Sequence, residues 1–512
     1  EGDDTIDLGR VTVALTFTIN GETIHITDGA GNTIDHTGSA DISQVENFVG
    51  GQAGDTFNIS GTSNAVDLRG GPGDDIFAFA DTATLTGTIS GEADSDTLDY
   101  SAYTSSVTVD LSTGSAFNVS SNAAGQIDTV ENITGGQVND TLTGDAAANI
   151  ITGGPGDDTL TGLGGDDRYV FGDNAGTDEV FEAFGGGDDT LDFSTATVDL
   201  LFAIASIHVT GTGIDVTHAE NNVENIIGGT GANTLDYSAL ATARDITLTG
   251  LGSLNGFAGT DSALNFDNIN AIVGTSATID TLTGLNAPST FNLQLAKAQY
   301  VSTNTLTITG IETLIGGTDA DTFTFTSAWT GAIDGGAGDD TLSYAGPTAA
   351  RSVDLTGLGA TDGFAGTASL LNGTFTNIDA LVGGNSTSDT FTGLDVASTF
   401  NLQPATLQYI STNTLTISDV ENLVGGNAND TLTFAAHTTA RDIQVDAVGT
   451  VDGFDIVETS YNATFKNINT LVGSSSTADT LTGLDAVATF NIKPATIEYI
   501  STNTLTITDV ET

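Results

Sequence analysis

A nine-residue repeat is the feature of this sequence that most restricts its fold. Residues 135–170, GGQVNDTLTGDAAANIITGGPGDDTLTGLGGDDRYV, form four consecutive blocks of nine that each open with glycine. The sixth residue of every block is aspartate or asparagine, and the eighth is a large apolar residue. Glycine reaches backbone conformations that other residues avoid, so we expect a turn at the start of each block. Units this short cannot bury a core alone, and they must therefore stack.

A longer repeat occupies the second half of the sequence. Three similar segments, each containing STNTLTI, begin at Thr290, Thr399 and Thr489. In TLTIT the apolar residues Leu306 and Ile308 alternate with threonines, which is the pattern of a strand with one buried face. We therefore divide the chain into residues 1–240, rich in nonapeptides, and residues 241–512, built from units of about 90 residues.

These patterns predict an all-β fold, an elongated parallel β-solenoid of the β-roll or β-helix type. No long stretch has a helical apolar period, and glycine, threonine, asparagine and aspartate are abundant. We expect coils of roughly 20 residues. Two nonapeptide blocks would complete one coil, which stacks Asp140 over Asp158 and Asn149 over Asp167.

Stacked carboxylates repel one another unless a cation lies between them. A hard cation that takes six or more oxygen ligands matches carboxylates combined with turn carbonyls. The sixth-position residues are therefore predicted to bind Ca²⁺, while the eighth-position residues fill the interior.

The pattern resembles the calcium-binding nonapeptide repeat of RTX proteins, G-G-x-G-x-D-x-U-x with U a large apolar residue. The tandem run covers residues 135–170, and single matches recur at residues 70, 316, 335 and 425. The resemblance implies that Asp140 and Asp158 hold Ca²⁺ together with backbone carbonyls of Gly136, Gly154 and Gly156. It also implies secretion and folding outside the cell.

Less regular turns are weaker candidates for the same chemistry. They are the pair Asp321 and Asp340 and the series Asp55, Asp75 and Asp96. For these turns the alternative is a solvated β-turn in which aspartate bonds its own backbone. Coils that depart from the pattern, such as the one with Asn149 in place of an acid, are expected to close without metal through polar side chains.

The charge of the chain excludes several classes of partner. It has 67 acidic and 9 basic residues, a formal net charge of −58. A surface this negative repels phosphate and anionic lipid, so nucleic acid and membrane insertion are not expected. Cysteine and methionine are absent, which suits an extracellular or bacterial cell-surface location. The sequence is interpreted as a mature or excised segment because no signal peptide precedes Glu1.

Catalysis is not expected. Five of the nine basic residues occupy repeat positions, and the histidines have no metal or triad spacing. The repeat-position residues are Arg244, Lys297, Arg351, Arg441 and Lys493. An ice-binding array would need a constant ladder spacing. A motif similar to VENLVGG recurs from Ile269 onward at steps of 42, 67, 42, 48 and 42 residues, which is not constant.

The sequence therefore predicts an extracellular structural protein that forms a surface fibre, sheath, stalk or adhesin shaft. Both ends cut through a repeat, which favours partners that are copies of the chain, head to tail or lateral, or neighbouring repeats of a longer array. The alternative is a carbohydrate-binding or carbohydrate-processing β-helix, for which surface polysaccharide would be the partner.

Overall fold

The computed structural model is all-β. It describes residues 4–21, 23–36, 45–63, 66–182, 185–218, 222–277, 279–458, 461, 463–485, 487–493 and 496–509. Within these ranges the helical structure is one 3-10 turn, Leu111–Thr113. The chain forms two compact units, which are described separately. The first is Glu1–Leu240 with Leu251–Ala271, and the second is Ala241–Gly250 with Ile272–Thr512.

The tandem nonapeptides wind between two parallel ladders of the first unit. Successive strands alternate between the ladders, and each coil takes 18 residues because Leu142 pairs with Leu160 and Ile133 with Ile151. These four side chains are at most 1% exposed. The eighth-position residues therefore form the core.

Ten strands in parallel register form the longest ladder of the first unit. They are Leu15–Asn20, Thr56–Ser60, Ile76–Phe79, Thr97–Asp99, Asn132–Thr134, Ile150–Thr152, Arg168–Val170, Thr190–Asp192, Asn225–Ile227 and Asn265–Ile269. A second ladder contains Thr108–Asp110, Thr141–Thr143, Thr159–Thr161, Gly176–Phe181 and Ile214–His218. A five-stranded parallel sheet contains Asp4–Asp7, Val45–Val49, Asp67–Pro72, Ile89–Ala93 and Ile127–Asp128.

Shorter pairings complete the first unit. Leu200–Ala203 pairs with Asn233–Asp236, and Thr62–Ser63 with Thr84–Leu85, both in parallel. Antiparallel excursions are formed by Thr23–Asp28, Thr33–His36, Ser115–Ala116, His208–Gly211 and Phe257–Thr260. The strand Ala271–Val273 spans the division between the units.

The second unit contains further parallel ladders. One consists of Asp245–Leu251, Thr281–Thr283, Thr313–Gly317, Ala332–Gly336 and Phe375–Ile378. Another consists of Thr290–Gln294, Thr322–Phe325, Thr341–Ser343, Ala380–Val382 and Thr414–Ser418. The others contain Ser352–Leu358, Thr390–Thr392, Asn422–Val424, Ala463–Val472, Thr399–Leu402, Asp430–Thr433, Thr504–Thr508, Asp442–Val448 and Thr480–Thr482. Trp329–Thr330 pairs with Leu371–Asn372.

The long repeat of the second unit forms antiparallel three-stranded meanders. The three copies are Thr290–Gln294, Lys297–Val301 and Thr305–Thr309, then Thr399–Leu402, Leu407–Ile410 and Thr414–Ser418, then Thr489–Lys493, Thr496–Ile500 and Thr504–Thr508. Phe364–Ala368 and Phe454–Glu458 are the middle strands of two similar excursions.

The expected all-β solenoid is confirmed, and the meanders refine its coil length. Coils without a meander are close to 20 residues, as between Asp321 and Asp340, which are 19 apart. Coils with a meander are longer, as between Ser398 and Asp430, which are 32 apart. The alternation of TLTIT shows one buried face and does not distinguish parallel from antiparallel partners.

Aromatic side chains extend the core from coil to coil. Phe17, Phe57 and Phe77 occupy equivalent positions, and their ring centroids lie 4.3 and 4.9 Å apart in stacked geometry. All three are fully buried. Stacked aromatic pairs contribute about 0.5–1.5 kcal/mol beyond the area that they bury.

Candidate metal centre

The sixth-position aspartates form hydrogen-bonded ladders inside the turns. The backbone amide of Asp140 donates to Oδ1 of Asp158 at 2.8 Å, and the amide of Asp158 donates to Oδ1 of Asp178 at 2.9 Å. Val107 N–H donates to Oδ1 of Asp140 at 2.7 Å. Each carboxylate therefore reaches back to the preceding coil, and Asp140 and Asp158 are brought together.

Three further ladders contain the other predicted residues. Asp55 N–H donates to Asp75, and Asp75 N–H donates to Asp96, at 2.6 and 2.8 Å. Asn149 N–H donates to Asp167 at 2.7 Å, and Asp321 N–H donates to Asp340 at 2.7 Å. The stacking order expected from the sequence is thus present in the structure.

Glutamates of the recurring V-E-N motif end several of these ladders. Glu131 accepts the amide of Asp96 at 2.9 Å, and Glu224 accepts the amide of Asp189 at 2.9 Å. Glu421 accepts the amide of Asp389 in the same way. The sequence motif V-E-N recurs roughly one coil after an aspartate turn, and this recurrence is the sequence pattern from which the role of the glutamates could have been predicted.

Burial disfavours the ionised form of these carboxylates and raises their pKa values. Desolvation is the main cause that raises the pKa of Asp158 to about 6, of Asp167 to about 7 and of Asp75 to about 8. Charges of neighbouring acids add to the shift, including that of Asp140 on Asp158. Burial also raises the pKa of Asp96 to about 7 and of Asp340 to about 7. Ionised carboxylates here require a positive partner.

The turns fall into two classes, which we call closed and open. In a closed turn, the amide of the second residue donates to the side chain of the sixth residue. Gly136 donates in this way to Oδ2 of Asp140. The other closed turns among the predicted residues are Gly51 with Asp55, Asp145 with Asn149, and Gly317 with Asp321.

In an open turn, the second residue is left-handed and the Oδ2 atom of the sixth residue is buried with no hydrogen-bond partner in the described part of the chain. The second residues of the open turns, with φ between 75° and 106°, are Gly71, Glu92, Gly154, Leu163, Gly185 and Gly336. The corresponding aspartates are Asp75, Asp96, Asp158, Asp167, Asp189 and Asp340. Each open turn follows another turn of the same ladder.

The predicted glycines lie where the backbones of successive turns approach closely. Gly154 and Gly156 have φ values of 97° and 149°, which favour glycine. A Cβ atom on Gly154 would lie 2.5 Å from the carbonyl oxygen of Gly136. The Gly136 carbonyl therefore faces the next coil, as a ligand shared between coils would.

In the long repeats, tyrosine hydroxyls close turns that have no sixth-position acid. Oη of Tyr300 accepts the amide of Leu285 at 2.8 Å and bonds Oγ of Ser289, the sixth residue, at 2.7 Å. Tyr409 accepts the amide of Leu394 at 2.7 Å in the equivalent turn. The hydroxyl does here what the carboxylate does in a closed turn. We call these tyrosine-closed turns.

Calcium fits the open turns. A buried carboxylate oxygen with no partner is costly unless a cation or donor satisfies it. Ca²⁺ takes six to eight oxygens at about 2.3–2.6 Å from carboxylates and backbone carbonyls. Oδ2 of Asp158, its counterpart in Asp75, Asp96, Asp167 and Asp340, and turn carbonyls such as that of Gly136 would hold the ion, which would neutralise the stacked charge.

The fold and these turns define a class: a repetitive β-solenoid with acidic, glycine-rich turns that bind a hard cation. The family model of the RTX calcium-binding nonapeptide repeat matches in four copies, at residues 134–169 and 332–346. The chain therefore contains RTX nonapeptide repeats, which are calcium-binding motifs, and the matched residues are about a tenth of the 512. No curated protein matches the chain in a sequence comparison.

The aspartate ladders also contain residues that the nonapeptide pattern does not identify. Asp178 and Asp189 extend two of the ladders and are each 1% exposed. Asp178 follows no run of glycines, so its register could not be read from the repeat. Binding of ions at individual residues, including Asp140, Asn149, Asp321 and Asp340, stays a prediction.

Proposed function

We propose that this protein is an extracellular structural protein, a calcium-stiffened β-solenoid that forms the shaft of a surface fibre, sheath, stalk or adhesin. The observation that carries the proposal is the set of open turns. Their buried carboxylate oxygens lie between stacked coils, and in this proposal a cation bound there stabilises the winding. In this proposal copies of the chain associate head to tail or laterally.

Secretion is part of the proposal because the calcium supply differs across the cell envelope. Extracellular calcium-binding modules have dissociation constants on the order of 10⁻⁴ to 10⁻³ M. At cytosolic calcium the acidic turns of a chain with net charge −58 would repel one another. The solenoid would then form after export. Within the residues that the structure describes, no helix has the length and hydropathy of a membrane span.

Burial of the aromatic rings supports a structural role over the carbohydrate alternative. Sugar-binding grooves present aromatic faces to the ligand, whereas tyrosines such as Tyr100, Tyr237 and Tyr409 are buried in the core. Phe490 is the aromatic residue with an exposed side chain among those described. His218 is also buried and bonds the carbonyl of Val180. These contacts favour packing over catalysis.

Electron microscopy with and without calcium tests the proposal. We expect the full chain to form filaments or regular rods in millimolar calcium and to lose them in chelator, with a weaker β-signal in circular dichroism and a lower melting temperature. A β-signal and melting temperature that are identical in calcium and chelator would contradict calcium stiffening. Turnover of an acidic polysaccharide by the purified protein would favour the carbohydrate alternative.

A further inference from the structure

Three acidic side chains from two successive coils meet beside the turn that begins at Gly162. They are Asp167, Glu182 and Asp189, and one carboxylate oxygen of each lies within 4.8 Å of the other two. Their exposed fractions are 1%, 5% and 1%. Three buried carboxylates at this separation are not explained by the ladder contacts alone.

In two of these carboxylates, one oxygen accepts a backbone hydrogen bond and the other has no partner among the described residues. Oδ1 of Asp167 accepts the amide of Asn149 at 2.7 Å, and Oδ1 of Asp189 accepts the amide of Asp167 at 2.9 Å. Oδ2 of both residues is buried and has no hydrogen-bond partner among the described residues. These oxygens point to a ligand because buried polar atoms are rarely left unsatisfied.

Glu182 stands where the repeat has its opening glycine. The register pairs Thr161 with Phe181, so Glu182 follows Gly162 one coil later. The hydroxyl of Tyr169 donates to Oε1 of Glu182 and fixes the direction of that side chain. A Cβ atom on Gly162 would overlap Oδ2 of Asp167 and Oε1 of Glu182, so the glycine leaves room for both carboxylates.

The surroundings of the cluster are also acidic. Further aspartates repel the charge of Asp167 or Asp189, and these are Asp145, Asp166 and Asp188. The nearest basic residue in the sequence, Arg168, is engaged by Asp192, to which its Nε donates at 2.8 Å. A soluble cation would therefore be attracted to the cluster.

We propose that Asp167, Glu182 and Asp189 bind one hard divalent cation, Ca²⁺, in a three-carboxylate site that the nonapeptide pattern does not encode. Ligand oxygens at about 2.3–2.6 Å from Ca²⁺ are at most about 5 Å apart, and the three carboxylates meet this condition. Tyr169 is a positioning residue that orients Glu182. The site adds a third carboxylate where the repeats use glycine, and Glu182 and Asp189 lie outside both matched ranges of the family model, residues 134–169 and 332–346.

Calcium titration of the full chain by isothermal calorimetry tests the site. Glu182→Gln retains the size of the side chain and an acceptor for Tyr169 but removes a charge. We expect it to bind one fewer ion per chain, or to bind that ion at least tenfold more weakly. The matched control is Glu179→Gln, an exposed residue of the strand that ends just before Glu182, which should titrate like the parent protein. Identical titrations of all three proteins would overturn the proposal.

Terbium luminescence provides a second readout that does not require removal of a carboxylate. Tyrosine sensitises Tb³⁺ emission only at short range, so Tyr169→Phe should lose a large part of the emission while it keeps the ion stoichiometry. Tyr461→Phe, whose hydroxyl donates to the carbonyl of Gln403 away from any assigned calcium ligand, should retain the emission. Equal emission from Tyr169→Phe and the parent would overturn the site. Calcium-dependent folding of the parent protein, which tests the proposed function, is unaffected by either result.

Discussion

The backbone amide of Asp140 donates a hydrogen bond of 2.8 Å to Oδ1 of Asp158, which lies 18 residues further along the chain. One carboxylate oxygen of Asp158 therefore holds successive coils together, and the other remains buried without a partner. The same aspartate contributes to winding through Oδ1 and to ion binding through Oδ2. The two roles can be separated by mutation.

Asp158→Asn should retain the hydrogen bond to Asp140 and lose calcium affinity. The asparagine carbonyl can still accept the amide, but the charge that attracts the ion is gone. We expect the affinity for one ion to fall at least tenfold, which corresponds to about 1.4 kcal/mol, as measured by calorimetry. Asp157→Asn, at the exposed neighbour, is the control. Equal losses in the two variants would show that general charge, not the turn, attracts calcium.

Gly154→Ala should destabilise the first unit. Its φ of 97° is unfavourable for alanine, and the new Cβ would lie 2.5 Å from the Gly136 carbonyl. Backbone strain of this kind costs about 1–3 kcal/mol, and we expect urea unfolding in calcium to show it. At Gly29 a Cβ meets no atom within 4 Å, so Gly29→Ala should change the unfolding free energy by less than about 0.5 kcal/mol. Similar effects at both glycines would contradict the assigned close approach.

The calcium-free protein should be more stable at pH 5 than at pH 8. Burial raises the folded-state pKa of Asp158 to about 6 and of Asp75 to about 8, above the ordinary value of 3.8. The folded chain therefore holds protons that the unfolded chain releases. Stability is highest below the unfolded pKa and is lost as pH rises through the folded values. Urea midpoints in chelator should fall from pH 5 to pH 8, and a rising midpoint would contradict the prediction.

Ile151→Ala and Ile150→Ala form a matched pair on one strand. Ile151 is fully buried in the core, whereas Ile150 is 42% exposed. Removal of the buried side chain should cost about 2–5 kcal/mol, and removal of the exposed one less than about 1 kcal/mol. Urea unfolding at saturating calcium measures both. A larger loss at Ile150 would reverse the assigned faces of the strand.

Tyr300→Phe should destabilise the second unit equally with and without calcium. The hydroxyl accepts the amide of Leu285, and its removal leaves that amide without its acceptor. An unsatisfied buried donor costs about 1–3 kcal/mol. Thermal unfolding in calcium and in chelator measures the difference. If the loss disappeared in either condition, the turn would not be closed by tyrosine alone.

The nine-residue period was sufficient to predict the all-β solenoid and the stacking of Asp140 with Asp158. The stacking follows because two blocks make one coil and the eighth residue must face the core, as Leu142 and Leu160 do. This information is local and repeats along the chain. The solenoid and its stacking can therefore be predicted without knowledge of long-range contacts.

Other features depend on contacts that no local pattern contains. The open and closed turns differ in the φ of the second residue, and that residue is glycine both in open turns, as at Gly154, and in closed ones, as at Gly136. Glu182 joins the aspartates only because the strand Gly176–Phe181 pairs in one register with the preceding coil. The meanders arise from antiparallel pairing, which the alternation of TLTIT leaves undetermined.

The tyrosine-closed turns show that a coil of this chain can be closed by a tyrosine hydroxyl in place of a carboxylate, so that the turn carries no acidic charge that needs an ion. Tyr300, Tyr409 and Tyr499 each supply that group within a duplicated segment. Lengthening the protein by copying such a segment therefore adds no demand on the mineral content of its surroundings. Growth in length and sensitivity to salt composition can evolve separately in this architecture.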